Sequence, residues 1–231
     1  MTPATPMPEA AAEAPPSATR EPGRASATIQ TLLDTAERLF AEKGVEHVSL
    51  RQIVLASGHR NVAAMQYHFG SRAELVTQVL RRRREFIDAA RNAALDACLA
   101  GNPDPDVPAL VQVTTRALAD TVRDQPWGPD YLSVLAQATL SPQLREDAAP
   151  LTAVSGMQRV HALLRARLQH VQAQTLEQRL TWLTHTIVYA LAQWCRSHDV
   201  HDRRAFDAYV ANLIDFCSGA MAQSGTGALG G

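Results

Sequence analysis

The chain is short of aromatic residues, which make up only 5% of it, and so lacks the Tyr-, Phe- and Trp-rich strands of most β-sheet proteins. It holds three cysteines, Cys98, Cys195 and Cys217, an odd number with no CxxC pair. Disulfide staples are therefore not expected, and the cysteine usage points to a reducing, cytoplasmic setting. No apolar run reaches the roughly 20 residues that a bilayer crossing needs, because Arg, Gln, His or Asp interrupts each candidate. The Pro-, Ala- and Glu-rich N-terminus has neither the basic nor the apolar region of a secretory signal. Lysine is nearly missing too: of 22 basic residues, 21 are Arg and one is Lys43. There is no GxSxG, no phosphate-cradling glycine loop and no HExxH, so no enzyme chemistry and no cofactor are expected.

What is present is helix-forming sequence. The 231 residues are 46% hydrophobic, enough for a sizeable core, and apolar positions recur at helical rather than strand spacing nearly throughout. An all-α fold follows. The net charge is only -1, yet residues 20–91 hold twelve basic against eight acidic side chains, whereas residues 92–231 hold ten against thirteen. The positive excess lies in the first third and suits a polyanionic partner there. Residues 1–25, rich in Pro, Ala, Glu, Ser and Thr, read as a disordered arm, and the Gly-rich residues 224–231 as a flexible tail.

Between these ends the boundaries carry physical signals. Ile29, Leu32, Leu33, Ala36, Leu39 and Phe40 follow an i, i+3, i+4, i+7 pattern that stops at Gly44. Ser49 and Gln52 form a capping box before a short second helix, which buries Leu50, Ile53 and Val54 and ends at Gly58. Asn61 caps a third short helix over residues 62–68. Ser71 and Glu74 repeat the capping box and open a long fourth helix with Leu75, Val79, Phe86 and Leu95 inward. Further helices are predicted over 107–124, 127–140, 143–172, 175–197 and 203–222.

Three short helices with a tight turn between the second and third are the layout of a helix-turn-helix. The third has small residues, Val62, Ala63 and Ala64, where a probe must enter the major groove, and Gln66, Tyr67, His68 and Arg72 supply hydrogen-bond donors around its exit. Phe69 reads as packing at the junction. The stretches Leu39-Phe40-Ala41-Glu42-Lys43-Gly44, Ser49-Leu50-Arg51-Gln52-Ile53 and Tyr67-His68-Phe69-Gly70-Ser71-Arg72-Ala73-Glu74-Leu75 resemble the DNA-binding domain of TetR-type transcriptional regulators, over about residues 27–75. The resemblance implies a homodimeric repressor on a near-palindromic operator of double-stranded DNA, released when a small-molecule effector fills a C-terminal pocket. It further implies that Arg51 reaches a base edge or phosphate, that Val62, Ala63 and Gln66 face bases, and that Tyr67, His68 and Arg72 fix the backbone, with Asn61 at the start of the same helix. Arg72 stands where the family usually has Lys, Gln66 where it commonly has an aromatic, and the turn at Gly58-His59-Arg60-Asn61-Val62 is one residue longer than the common form. On this reading residues 26–75 form the DNA-binding domain and residues 76–223 a helical ligand-binding and dimerisation domain. The alternative is a helical protein-interaction adaptor without DNA binding.

In the larger domain Phe86, Leu118, Trp127, Tyr131, Met157, His161, Trp182, His185 and Tyr189 are the candidates to line an apolar cavity with a few polar groups. Cys195, His198 and His201 have spacing suggestive of a soft divalent metal, but they fall across a helix end and a loop, so no metal site is assigned. The run Arg81-Arg82-Arg83-Arg84 covers all sides of a helix and reads as solvated residues and interdomain salt bridges rather than a DNA-facing patch. The last two helices are apolar on more than one face, which predicts a two-fold four-helix dimer interface.

Overall fold

The computed structural model describes residues 22–60, 69–141 and 154–223. Among them are eight α-helices and one short 3-10 turn, with no strand. Helix α1 runs Pro22–Lys43, taking in four residues of the stretch read as an arm, and buries Leu32, Leu33, Ala36, Leu39 and Phe40 on one face. It stops where expected: Gly44 has φ 90° and its N–H donates to the Phe40 carbonyl at 3.0 Å. The 3-10 turn Val45–His47 follows, then α2, Leu50–Ala56, with Ser49 and Gln52 satisfying each other's backbone N–H groups. Ile53 and Val54 are buried as the pattern requires, while Leu50 is half-buried.

The chain re-emerges at Phe69, 2% exposed and so part of the core. Gly70 turns it at φ 60°, and a Cβ there would lie 1.9 Å from Glu74 Oε2. A side chain there would meet both the left-handed backbone and the Glu74 carboxylate, which would have to give up the Ser71 N–H that it accepts at 2.7 Å. The same box opens α3, Arg72–Gly101, whose 30 residues make a rod about 45 Å long. Its first turns, with Leu75, Val76, Val79 and Leu80, pack into the small N-terminal head, and its later turns, with Ile87 and Leu95, pack into the larger body. Helices α4 (Val107–Asp124) and α8 (Arg203–Ala222) match the predicted spans, each started by an Asp, Asp106 and Asp202, that accepts a first-turn N–H. Helix α5 is Gly128–Leu140 and α7 is Ala173–Ser197.

Helix α6 is the exception. The expected span 143–172 is corrected to Ser155–Arg167 within the described residues. Val160, Leu164, Leu168 and Val171 all are buried and keep helical spacing, but Leu168 leaves the helical conformation and Val171 reaches the core through a turn.

In the body α3 packs on α4 and α6, α4 on α8, α5 on α7, and α7 on α8; α5 also packs against α1. One continuous hydrophobic cluster extends from Leu32 in α1 to Met221 in α8, so head and body share a core.

Candidate nucleic-acid interface and buried cavity

The head presents Arg51 as an exposed side chain in the first turn of α2. Arg72, at the start of α3, is tied back to the 3-10 turn: its Nη1 donates to the Glu46 carbonyl at 3.1 Å and to Glu46 Oε2 at 3.0 Å. Its side chain remains 42% exposed, and only Nη1 of the guanidinium is engaged in this contact. Asn61, Val62, Ala63, Gln66, Tyr67 and His68 lie outside the described residues. What the structure describes is the frame on either side of them: α2 before, and the buried Phe69 with the Gly70 turn after.

Two sets of contacts lock the head to the body. In the first, the four consecutive arginines of α3 go three separate ways. Arg82 and Arg83 reach α1, where Glu37, 2% exposed, accepts from Arg82 Nη2 at 2.7 Å and Arg83 Nη2 at 2.8 Å, and Asp34 pairs with both at 2.8 and 3.0 Å. Arg81 pairs loosely with Glu85 at 3.9 Å, and Arg84 lines a cavity in the body. Arg83 also lies 4.4 Å from the Trp127 ring centroid, a cation–π contact. In the second set, Gln137 of α5 accepts the Val45 N–H at 2.8 Å through Oε1 and donates through Nε2 to the Phe40 carbonyl at 3.2 Å. A single side chain thus caps the Val45 N–H and adds a second donor to the Phe40 carbonyl at the α1 terminus.

The cavity lies among α3, α4, α5, α6 and α7. Ile87, Leu118, Leu135, Met157, Ile187 and Val188 supply apolar wall, and Arg84, Arg91, Thr114, Tyr131 and Thr184 the polar groups. Its free volume is about 40 Å³, room for about three waters. Tyr131 is fully buried and burial pushes its phenol up to about 12, so it stays a neutral hydroxyl. Behind Arg91 sits Asp88, which accepts the Gly156 N–H at 3.1 Å, the Ser155 hydroxyl at 3.0 Å and the Asn92 amide at 3.3 Å as well as Arg91 Nη1 at 3.1 Å.

Of the residues selected from sequence, Leu118, Tyr131 and Met157 line this cavity. Phe86 is corrected: it is 50% exposed, packed edge-on to Trp127 at 5.7 Å. Trp127 in turn meets Tyr131 edge-on at 5.9 Å, behind the cavity wall rather than in it. Trp182 is corrected as well: it is 61% exposed on the outside of α7, facing away from the interior. His161 is buried outside the lining, its pKa lowered to about 4 by burial and then by Arg165. His185 and Tyr189 are half-buried on α7, and the Tyr189 hydroxyl donates to the Ala136 carbonyl at 3.0 Å. Apart from Tyr131, the polar lining, Arg84, Arg91, Thr114 and Thr184, was missed from sequence. Its signal was there in α3: the apolar stripe through Leu80, Ile87 and Leu95 is interrupted at Arg84, Asp88 and Arg91, where helical spacing calls for apolar residues.

Among the described residues no cluster of His, Cys, Asp and Glu could hold a metal ion. His198 stacks on Trp194 at 4.0 Å, and burial pushes the Cys195 thiol up to about 11. No helix among them is long and apolar enough to cross a membrane.

Comparison with known proteins gives two matches, one over the head and one over the body. Residues 32–79 match the model for bacterial regulatory proteins of the tetR family, and residues 111–220 match the model for the tetracyclin repressor-like C-terminal domain. Among solved structures, a tetR-family transcription regulator from Shewanella sp. PV-4 is 15% identical, over 84% of this chain and 97% of that one, with a TM-score of 0.63. The transcriptional regulator FadR from Bacillus subtilis, solved in complex with stearoyl-CoA, is 12% identical over 80% and 97%, with a TM-score of 0.56. NalD, the secondary repressor of the MexAB-OprM multidrug efflux pump in Pseudomonas aeruginosa, is 21% identical over 84% and 95%, with a TM-score of 0.50. At these identities the likeness is one of fold. No curated protein matches the chain. The two family matches together span well over half of the sequence, and they coincide with the helical head and the helical body: the chain belongs to the TetR family of transcriptional regulators, with an N-terminal DNA-binding domain.

Proposed function

We propose that the protein is a cytoplasmic, homodimeric repressor that binds a near-palindromic operator and is released by a small molecule held in the body cavity. The observation that carries this reading is the continuity of α3, one rigid helix that contributes Arg82 and Arg83 to the head contact and Ile87 and Arg91 to the cavity. A ligand that moves the Tyr131 wall presses on Trp127, and Trp127 bears on Arg83, which grips Glu37 of the head. A shift passed along these contacts alters the separation of two heads in a dimer. Such coupling between sites is typically worth about 1–3 kcal/mol. That the Bacillus subtilis FadR, which shares this fold, was solved in complex with stearoyl-CoA is in keeping with a small-molecule effector.

On the DNA, Arg51, Tyr67, His68 and Arg72 would neutralise or bond phosphates, and Asn61, Val62, Ala63 and Gln66 would meet base edges. The dimer would close through α7 and α8. Helix α7 has no charged residue from Leu180 to Cys195, and the exposed Trp182 and Phe216, 61% and 65% exposed, stand on the outer faces of α7 and α8.

The test is fluorescence anisotropy with duplexes from the DNA flanking its coding region, at several salt concentrations. Expected is a specific complex whose affinity falls linearly with salt on logarithmic axes, with Arg72→Ala weakening all duplexes alike and lowering the slope by about one. Failure to retain any duplex above a random-sequence control contradicts the reading and favours a protein-interaction adaptor.

A further inference from the structure

Arg91 is an unusual residue for the wall of an apolar cavity. It is 6% exposed, it donates from Nη1 to Asp88 at 3.1 Å, and its Nε has no hydrogen-bond partner. A guanidinium does not deprotonate in a protein, so a buried one must find acceptors or bear the cost of lacking them. Asp88 does not make up the shortfall. Its two oxygens already take the Gly156 N–H, the Ser155 hydroxyl and the Asn92 amide, and the positive N-terminal end of α6 lies directly on them. The site therefore has more donors than acceptors and more positive than negative charge.

We propose that the effector is a compact apolar carboxylate whose carboxyl group is held by Arg91 inside the body cavity, with its hydrocarbon part against Ile87, Leu118, Leu135 and Met157. The inference rests on reading that cavity as the effector site. A planar carboxylate matches the fork of a guanidinium, and it supplies the acceptors that Nε lacks. The neutral Tyr131 hydroxyl and those of Thr114 and Thr184 line the same space and add uncharged polar groups. An amine finds no counterpart, because the oxygens of Asp88 are occupied and Arg91 repels it. The free volume of about 40 Å³ is smaller than such a carboxylate, so entry requires the wall to open, and Met157, whose thioether adapts at small cost, is the lining side chain best able to move aside.

The experiment is calorimetric titration of the full-length protein with benzoate and hexanoate, against benzyl alcohol, hexanol and hexylamine as shape-matched neutral and cationic probes. The carboxylates are expected to bind about tenfold or more tightly than the alcohols, and hexylamine not at all. Arg91→Met is expected to erase the preference and leave alcohol binding in place, and Arg91→Lys to keep only part of it. If Arg91→Met does not fold, the comparison of probes on the unaltered protein decides. Equal or tighter binding of alcohol or amine, or no carboxylate binding at about 10 mM, overturns the proposal, as does an Arg91→Met protein that retains the preference. The same compounds added to the DNA complex separate the two ideas. Carboxylates that bind through Arg91 yet leave the DNA complex intact defeat the effector reading and not the assignment of Arg91; DNA release by the alcohols or the amine alone does the reverse.

Discussion

Glu37 and Asp34 sit one turn apart on α1 and serve the same two arginines, yet Glu37 is buried and the Asp34 side chain is 58% exposed. The difference in burial sets the difference in consequence. Glu37→Gln leaves two part-buried guanidinium groups short of charge and is expected to cost about 2–3 kcal/mol, read from urea unfolding, whereas Asp34→Ala is expected to cost under about 1 kcal/mol. His161 gives a pH signature. Burial holds its folded pKa near 4 against 6.5 in the unfolded chain, so below pH 6.5 the unfolded state takes up a proton that the folded state refuses. Its contribution is whole above pH 6.5 and is lost as pH falls toward 4; between pH 6.5 and about 4.5 the loss is expected to be about 2–3 kcal/mol, and His161→Gln flattens that limb of the unfolding curve. Residue roles were only partly legible in the sequence. The run Arg81–Arg84 could be read, since four consecutive helical positions point around the whole circumference. Trp182 could not: periodicity marks an apolar face, but an inner wall and an outer contact surface present the same pattern.

Elements were most legible where a side chain closes a helix end. Asp106, Asp202, Ser49 and Ser71 each accept a first-turn N–H, and the helices they start begin within a residue of their predicted positions. The end of α6 was not legible, because Leu168 and Val171 continue the apolar spacing after the backbone has left the helix. The joint between elements that matters most was not legible either. Gln137 bridges α5 to the end of α1 through hydrogen bonds to main-chain groups 92 and 97 residues away, and nothing local to it reveals partners so distant. Gln137→Leu removes both bonds and strands the N–H of Val45, a residue only 1% exposed. Amide exchange at Val45 is expected to accelerate by about tenfold or more, with a stability loss of about 1–3 kcal/mol. An unchanged exchange rate would mean that the bridge does not hold the head.

For the whole molecule, the shared core from Leu32 to Met221 means that head and body are not free to move independently. Motion must pass through α3 and through the packing of α5 on α1, which favours a shift of the head over its detachment. The outer face of α7 and α8 is the other large-scale feature. Trp182→Glu together with Phe216→Glu is expected to convert a dimer to a folded monomer by sedimentation, with helicity unchanged because neither side chain supports the protomer core. Specific DNA affinity should fall with it, since each half-site then holds one head alone.

The most direct measurement is a hydroxyl-radical footprint of the unaltered protein on the DNA flanking its coding region. Two heads on a two-fold dimer predict a pair of symmetric protected patches whose centres are one helical turn, about 34–36 Å, or a whole multiple of it apart. A lone patch, an asymmetric pair or no protection would contradict the account.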